Sequence, residues 1–345
     1  MIKPLLVTLI SFFAITIYAQ DKSNEHLYPF KNNYFNLKTL QYHTSNDPLA
    51  HSFKTDSKYA VRYKGLAADK IAYKGSLFET TSDNGLLLKD IETQAATPLP
   101  NAEKGIPKQG QSFLLESTNG IIHIKSLEKD NGYKIYQYDE KGTQLFATQI
   151  KHSEFVQHGE FAYHLPYLEY TMHTANTIAF TSYVNRIPKT ITLSTLDGSM
   201  SNFEFTSVGF IRDIAADMDI HGFIQLDKGK GSLQITYISD NFTVSRPYLT
   251  NMSHAESVIV GNTLVIATYN RRSPNAQLLA IDLESKKIVW DGEVSNFGGT
   301  ASNSYYNVIW LGAYEDKIIL EGYEQKGKYL QILDANTGKQ LWKSF

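Results

Sequence analysis

Short apolar runs separated by turn residues fill most of the chain. Residues 258–260 and 262–269 form one pair of such runs, and residues 308–311 and 318–323 form another. Runs rich in Val, Ile, Thr, Tyr and Phe that Gly, Asn, Asp or Lys interrupt are typical of β-strands joined by turns. Outside the N-terminal segment, no apolar pattern with a period of 3.6 residues indicates a helix. The pattern predicts an all-β protein.

A repeated unit is clearest near the C-terminus. Residues 278–290 and 330–342 each contain an apolar run that ends at an aspartate, then a polar turn, then a tryptophan eight positions after the aspartate. These residues are Asp282 with Trp290 and Asp334 with Trp342. An aspartate accepts backbone N–H bonds within a turn, and Gly338 tolerates the positive φ of a tight hairpin. The tryptophan offers a large apolar surface for packing on a neighbouring sheet.

Weaker copies of the unit precede these two. In them an aspartate is followed by an aromatic residue seven or eight positions later: Asp139 by Phe146, Asp197 by Phe205 and Asp240 by Tyr248. Asp90 stands at the place of a first copy. The spacing of these anchors is typical of four-stranded propeller blades, which repeat every 40 to 50 residues or so. The sequence therefore predicts a β-propeller of six to seven blades, with eight as the upper limit.

The N-terminus has the features of an export signal. Lys3 is followed by an apolar run over residues 5–18, and Ala19 precedes a polar stretch. The run is shorter than the roughly 20 residues that cross a bilayer. We expect residues 1–19 to be a cleaved signal peptide, with an uncleaved anchor as the alternative, and a periplasmic or secreted mature protein. Residues 20–58 could add strands to the ring, and residues 59–345 are expected to form the propeller.

Composition narrows the classes of function. The formal net charge is −2, which argues against nucleic acid as a partner. The chain has no cysteine, which excludes disulfides, thiolate metal sites and a cysteine nucleophile. No second apolar run is long enough to cross a membrane, so we expect no membrane segment once the signal is removed. We also expect the protein to be a monomer.

The units around Asp282–Trp290 and Asp334–Trp342 resemble the repeat of the pyrroloquinoline-quinone-type propellers. This family includes quinoprotein dehydrogenases and the periplasmic scaffold lipoprotein of the outer-membrane barrel assembly machine. The resemblance implies a propeller fold. It also implies quinone, calcium and a vicinal disulfide for the dehydrogenases, and a lipid-anchoring cysteine for the scaffold. A chain without cysteine departs from both patterns, and the sequence predicts no cofactor.

Candidate metal and catalytic groups are sparse. His152, His158, His164 and His173 lie close in sequence, but six residues of extended chain span about 20 Å, so loop histidines are favoured over a metal site. Asp213, Asp217 and Asp219 lack the glycine and terminal glutamate of an EF-hand loop. We expect no metal site and identify no catalytic residue.

Two hypotheses of function remain. The first is a non-catalytic binding or scaffold propeller for a protein or carbohydrate partner. Its binding face is expected to come from the inter-blade segments 150–166, 249–256 and 294–306 and from the inner-hairpin loops near Arg186 and Arg271. The candidate ligand-binding residues are His158, His164, Tyr167, Arg186, Arg212, His254, Arg271, Tyr305 and Tyr306. The second is a hydrolase or lyase at the central funnel, with acid, base and cationic groups drawn from Glu154, His158, His164, Arg212 and His254.

Overall fold

The computed structural model describes residues 26–31, 33–43, 70–81, 85–99, 112–127, 132–151, 169–184, 187–207, 209–216, 218–227, 229–270, 276–294, 308–324 and 327–344. Within these ranges the chain is all-β apart from one 3-10 turn at Pro247–Asn251, which confirms the predicted fold class. In the same ranges no helix is long and apolar enough to cross a membrane. The predicted signal segment, residues 1–19, lies outside the described residues.

The strands form one three-stranded sheet and six four-stranded sheets in the described part of the chain. The N-terminal sheet contains β1 (Leu27–Phe30), β2 (Asn33–Asn36) and β3 (Gln41–His43). Blade 1 contains β4 (Lys70–Tyr73), β5 (Ser76–Thr80), β6 (Leu86–Asp90) and β7 (Ala96–Pro98). Blade 2 contains β8 (Ser112–Ser117), β9 (Gly120–Leu127), β10 (Gly132–Tyr138) and β11 (Gln144–Ile150). Blade 3 contains β12 (Glu169–His173), β13 (Thr177–Val184), β14 (Ile187–Ser194) and β15 (Met200–Glu204).

The remaining three blades also contain four strands each. Blade 4 contains β16 (Gly209–Ala216), β17 (Asp219–Asp227), β18 (Ser232–Tyr237) and β19 (Asp240–Ser245). Blade 5 contains β20 (His254–Val260), β21 (Thr263–Tyr269), β22 (Ala276–Asp282) and β23 (Lys287–Glu293). Blade 6 contains β24 (Val308–Tyr314), β25 (Lys317–Glu324), β26 (Gly327–Asp334) and β27 (Gln340–Lys343).

Each blade is an antiparallel meander in which consecutive strands pair. The second strands are mostly buried, as β21 shows, whereas fourth strands such as β15 and β23 are largely exposed. Because strand direction alternates, the turns that join strands one and two lie at the same end of a blade as those that join strands three and four. We call this end the turn face. The first strands begin at the opposite end.

Buried apolar side chains join each sheet to the next one. Blades 5 and 6 share a core that includes Val265 and Ile309, and blades 4 and 5 share one that includes Ile224 and Leu279. Equivalent clusters join blades 1 and 2, blades 2 and 3, and blades 3 and 4. The same packing continues from blade 6 to the N-terminal sheet. Successive meander sheets stacked face to face form a multi-blade β-propeller.

The aspartate turn has the geometry that its chemistry requires. Oδ1 of Asp334 accepts hydrogen bonds from the N–H groups of Asn336 (3.1 Å) and Thr337 (2.9 Å) and from the Thr337 hydroxyl (2.8 Å). Gly338 follows with φ of 70°. Asp90 accepts the same set of bonds from Glu92 and Thr93. The carboxylate thus replaces the backbone acceptors that the tight turn lacks.

The repeat aromatic packs on the turn of the following blade. Nε1 of Trp290 donates a hydrogen bond of 2.9 Å to the Ala335 carbonyl. A Cβ atom at Gly338 would lie 2.6 Å from the indole ring of Trp290, so a glycine is needed there for contact as well as for φ. Phe146 of blade 2 packs in the same way on Gly198 of blade 3. The unit therefore links two blades and not only two strands.

Two of the weaker anchors occupy other places in their hairpins. In blade 3 the turn begins at Ser194, whose Oγ accepts the Leu196 N–H, whereas Asp197 lies three residues later and accepts bonds from Ser199. Phe205 consequently follows β15 and packs on Phe223 instead. In blade 4 a two-residue turn joins β18 to β19, and Asp240 is the first residue of the outer strand. The plus-eight position from Asp240, Tyr248, lies in the 3-10 turn.

The N-terminal sheet carries a further copy of the turn. Oδ1 of Asn36 accepts hydrogen bonds from the N–H groups of Lys38 (3.0 Å) and Thr39 (3.1 Å), and Leu40 adopts φ of 56°. This turn joins β2 to β3, so the three strands correspond to the second, third and fourth strands of a blade. Trp342 packs on this sheet, with its ring centroid 4.4 Å from that of Phe35. The N-terminal sheet and blade 6, the first and last sheets of the described residues, are therefore neighbours.

Candidate functional site

The first strands of blades 4 and 5 lie side by side. The Ser257 hydroxyl on β20 donates a hydrogen bond of 2.8 Å to the Asp213 carbonyl on β16. Successive side chains of a strand point to opposite faces. Ile211 packs toward blade 3 and Ile214 toward blade 5, so Arg212 also points toward blade 5. The strand pattern thus aims one cation across the junction between two blades.

Arg212 meets two carboxylates in a buried position. Its Nη2 atom lies 2.7 Å from Oε1 of Glu256, and its Nε atom lies 3.4 Å from Oδ1 of Asp213. The side chains of Arg212, Glu256 and Asp213 are only 8%, 5% and 10% exposed. Burying an unpaired charge costs on the order of several kcal/mol per ion. A cation and carboxylates therefore occur together here. We call these three residues the inner charge cluster.

His254 stands on the same strand as Glu256. The two residues are two positions apart on β20, which places them on one face of the strand. The imidazole ring stacks on Tyr269 with centroids 5.5 Å apart, and its Nδ1 atom lies 2.8 Å from the Ser253 hydroxyl oxygen. Because β20 begins at His254, this polar and aromatic group lies at the end of blade 5 away from the turn face.

Further buried polar side chains lie along the second strands of the blades. The Oγ1 atoms of Thr181 and Thr190 lie 2.9 Å apart, and Nε2 of Gln225 donates a hydrogen bond of 2.5 Å to the Ser207 carbonyl. In blade 2 these positions are basic, since β9 carries His123 and Lys125, both buried. Burial and the nearby Lys125 ammonium lower the pKa of His123 to about 4.

Two of the candidate ligand-binding residues lie within the described part of the chain. Arg212 lies in the inner charge cluster, and His254 lies beside Glu256 of that cluster, so the structure brings them to adjacent first strands. Sequence reasoning missed Glu256, His123 and Lys125. The available signal was a polar residue inside an otherwise apolar strand of the repeat. The remaining candidates lie outside the described residues: Glu154, His158, His164, Tyr167, Arg186, Arg271, Tyr305 and Tyr306.

The structure describes two of the three aspartates that could have bound a metal ion, Asp213 and Asp219. Asp213 belongs to the inner charge cluster, whereas the side chain of Asp219 accepts the N–H of Ile220 at 2.7 Å. Asp217, His152, His158 and His164 lie outside the described residues. Among the residues that are described, no three His, Asp or Glu side chains are placed to hold a metal ion together.

Comparisons with known proteins yield structural likenesses only. No protein-family model and no curated protein matches the chain. A quinohemoprotein alcohol dehydrogenase from Comamonas testosteroni has a TM-score of 0.36 and 12% identity, covering 90% of this chain and 63% of that one. An uncharacterized protein from Listeria monocytogenes has a TM-score of 0.42 and 13% identity, with 81% and 82% covered. Apo AztD from Citrobacter koseri has a TM-score of 0.41 and 11% identity, with 80% and 71% covered.

The chain thus spans less than two thirds of the length of the Comamonas dehydrogenase. At such identities and TM-scores, the assignment of the fold rests on the sheets of this protein and on their packing.

Proposed function

We propose that this protein is an exported propeller of the quinoprotein repeat type that serves as a non-catalytic binding or scaffold module. Its partner would be a protein or a carbohydrate outside the cytoplasm. The observation that carries the proposal is the ion pair between Arg212 and Glu256, which joins blades 4 and 5 at 2.7 Å. A carboxylate held by a buried guanidinium braces two blades, which suits a rigid platform for a partner.

The surface proposed to contact the partner begins at His254. Tyr269 supports the imidazole ring by stacking, and the Asn270 side chain donates a hydrogen bond of 3.1 Å to the Asn251 carbonyl nearby. Aromatic rings beside amide and hydroxyl groups offer both stacking and hydrogen bonds, the two contacts that sugars and polar protein surfaces require. This combination favours a binding role for the end of blade 5 where β20 begins.

Binding and export can be tested on the same protein. The mature N-terminus from native cells should be at or near Gln20, as mass spectrometry would show. Purified protein is then applied to an array of defined polysaccharides and oligosaccharides, and its partners in intact cells are identified by crosslinking. We expect saturable binding to one class of ligand, and His254→Ala should weaken it at least tenfold without lowering the melting temperature.

A matched variant separates the surface from the rest of the fold. His221→Ala changes a histidine of blade 4 whose Nε2 atom contacts the Ala216 carbonyl at the turn face, far from the start of β20. It should bind like the parent protein. Equal losses for the two variants, or saturable turnover of a ligand, would overturn the proposed function.

A further inference from the structure

Blades 3 and 4 expose an unusual set of apolar side chains at the turn face. Leu196 is 50% exposed, Met200 45%, Met218 68% and Ile238 64%. Leu196 lies in the turn between β14 and β15, and Met200 begins β15. Met218 precedes β17, and Ile238 lies in the turn between β18 and β19. We call these four residues the turn-face patch.

Backbone hydrogen bonds link the turns that carry the patch residues across two blades. The Thr195 N–H, next to Leu196, donates to the Asn176 carbonyl at 2.7 Å. The Asn176 N–H in turn donates to the Met218 carbonyl at 3.0 Å. Within blade 4 the Ile238 N–H donates to the His221 carbonyl at 2.7 Å. The turns are therefore held beside one another, and their apolar tips face solvent together.

Two residues of the patch have a backbone conformation that is unfavourable for their side chains. Met218 and Ile238 adopt φ of 65° and 54°. This left-handed conformation suits Gly, Asn and Asp, and it is least tolerable for a β-branched residue such as isoleucine. Because both side chains are exposed, burial of apolar surface does not compensate for this backbone strain. Residues that break a local rule without benefit to the fold are typical of functional positions.

Aspartate residues border the patch. Asp197 follows Leu196, Asp219 follows Met218, and Asp240 lies two residues after Ile238. Hydrogen bonds from the Ser199 N–H and hydroxyl lower the pKa of Asp197, which keeps it ionised near neutral pH. Lys286 pairs with Asp240 at 3.2 Å and offsets one carboxylate. The surface is therefore apolar with an acidic border.

We propose that the turn-face patch is a second interaction surface, at the opposite end of the blades from His254. Its partner is a protein segment that presents apolar side chains together with Lys or Arg. An apolar area of this kind commonly marks a protein contact site, and complementary charge selects the partner. A second copy of this chain is disfavoured because its own acidic border would repel this one. The inference stands independently of the ligand bound at the other end.

The test uses a defined probe on the full mature protein. The probe is a fluorescein-labelled amphipathic peptide of leucine and lysine, and its counterpart has glutamate at every lysine position. Fluorescence anisotropy should show that the lysine peptide binds at least tenfold more tightly, and that added salt weakens it. Met218→Asn and Ile238→Asn should each reduce binding at least tenfold while leaving the melting temperature equal or higher, since asparagine tolerates positive φ.

Control variants locate the site. Val289→Thr changes an apolar residue that is 53% exposed on β23, outside the patch, and should bind like the parent protein. Asp197→Asn with Asp240→Asn should weaken binding and remove most of its salt dependence. Three results would overturn the proposal: equal binding of both peptides, unchanged binding by the asparagine variants, or a dimer in sedimentation that Met218→Asn dissociates.

Discussion

The hydroxyl group of Tyr28 donates a hydrogen bond of 2.5 Å to a carboxylate oxygen of Glu321. The bond joins β1 of the N-terminal sheet to β25 of blade 6, across 293 positions of the chain, and both residues are buried. Burial, and then the neighbouring carboxylate, raise the pKa of Tyr28 well above its ordinary value, so its hydroxyl keeps the proton that it donates. The N-terminal sheet and blade 6 are thus held together by a charge-assisted bond in an apolar junction.

Removing this bond should destabilise the junction. In Tyr28→Phe the buried Glu321 carboxylate loses a donor, and bonds to charged groups are worth about 1.5–3 kcal/mol. We expect a loss of that size in the free energy of unfolding, measured with a chemical denaturant. Tyr34→Phe on β2 is the control, because Tyr34 is partly exposed and stacks on His43. Similar small losses in both variants would show that the bond contributes little.

Gly338 allows the blade-to-blade contact to be tested by itself. Gly338→Ala places a side chain at φ of 70° and also 2.6 Å from Trp290, whereas Gly261→Ala has φ of 58° and nothing within 4 Å. The second variant should lose only about 1–2 kcal/mol for the left-handed backbone. The first should lose clearly more, as differential scanning calorimetry would show.

The excess loss should depend on the indole ring. In the Trp290→Ala background the space above Gly338 is open, so Gly338→Ala should cost no more than Gly261→Ala. Contacting residues are expected to be non-additive in this way. Additive losses in the double variant would mean that Trp290 does not restrict position 338.

Local chemistry explains which parts of the fold the sequence predicts. Asp334 and Gly338 form a self-contained turn, so their hydrogen bonds follow from a few adjacent residues. Asn36 makes the same turn with an amide oxygen and with Leu40 in place of glycine, and no aspartate marks it. Asp240 resembles an anchor in spacing alone, because a shorter hairpin shifts it into β19. Spacing between repeats is therefore a weaker guide than the turn itself.

The candidate site depends on contacts that no local pattern contains. Arg212 is conspicuous as a cation within the apolar strand β16, and it is one of the candidates that the sequence predicts. Its partner Glu256 lies on the first strand of the next blade, at a register that only the packed sheets define. The same holds for Tyr28 and Glu321. Sequence reasoning can suggest such a residue, but its pairing depends on how the sheets pack together.

Breaking the inner charge cluster should be costly. Glu256→Gln leaves the buried Arg212 guanidinium with only Asp213, at 3.4 Å, as a charged partner within the cluster. Losing one member of a buried pair typically costs about 3–5 kcal/mol. Replacing both residues, Arg212→Met with Glu256→Leu, should recover only part of the loss, because the Asp213 carboxylate then remains as the one buried charge of the cluster.

An exposed pair of the same length provides the control for this prediction. Arg246 and Asp291 lie 2.7 Å apart, and each side chain is 36% exposed. Arg246→Met should therefore cost less than about 1 kcal/mol. Urea denaturation of the four proteins measures all these values. A loss for Glu256→Gln as small as that for Arg246→Met would remove the argument that this pair braces the blades.

The buried His123 should make stability depend on pH between neutrality and pH 4. Its pKa falls from an ordinary 6.5 to about 4 because of burial and the Lys125 ammonium. Between these values the unfolded chain binds more protons than the folded protein. Stability is therefore complete above pH 6.5 and is lost as the pH falls toward 4, by at most about 3 kcal/mol.

Two variants test this origin of the pH dependence. His123→Gln cannot gain the proton, so the difference in its unfolding free energy between pH 7 and pH 5 should be smaller than in the parent. Lys125→Met removes the second cause of the lowered pKa, and it should reduce the same difference in part. Measurement at pH 5 avoids the turn carboxylates Asp90 and Asp282, whose pKa values their turn hydrogen bonds hold below the ordinary 3.8. If His123→Gln kept the full difference, groups other than His123 would be responsible for the pH dependence of stability, and the prediction would be wrong.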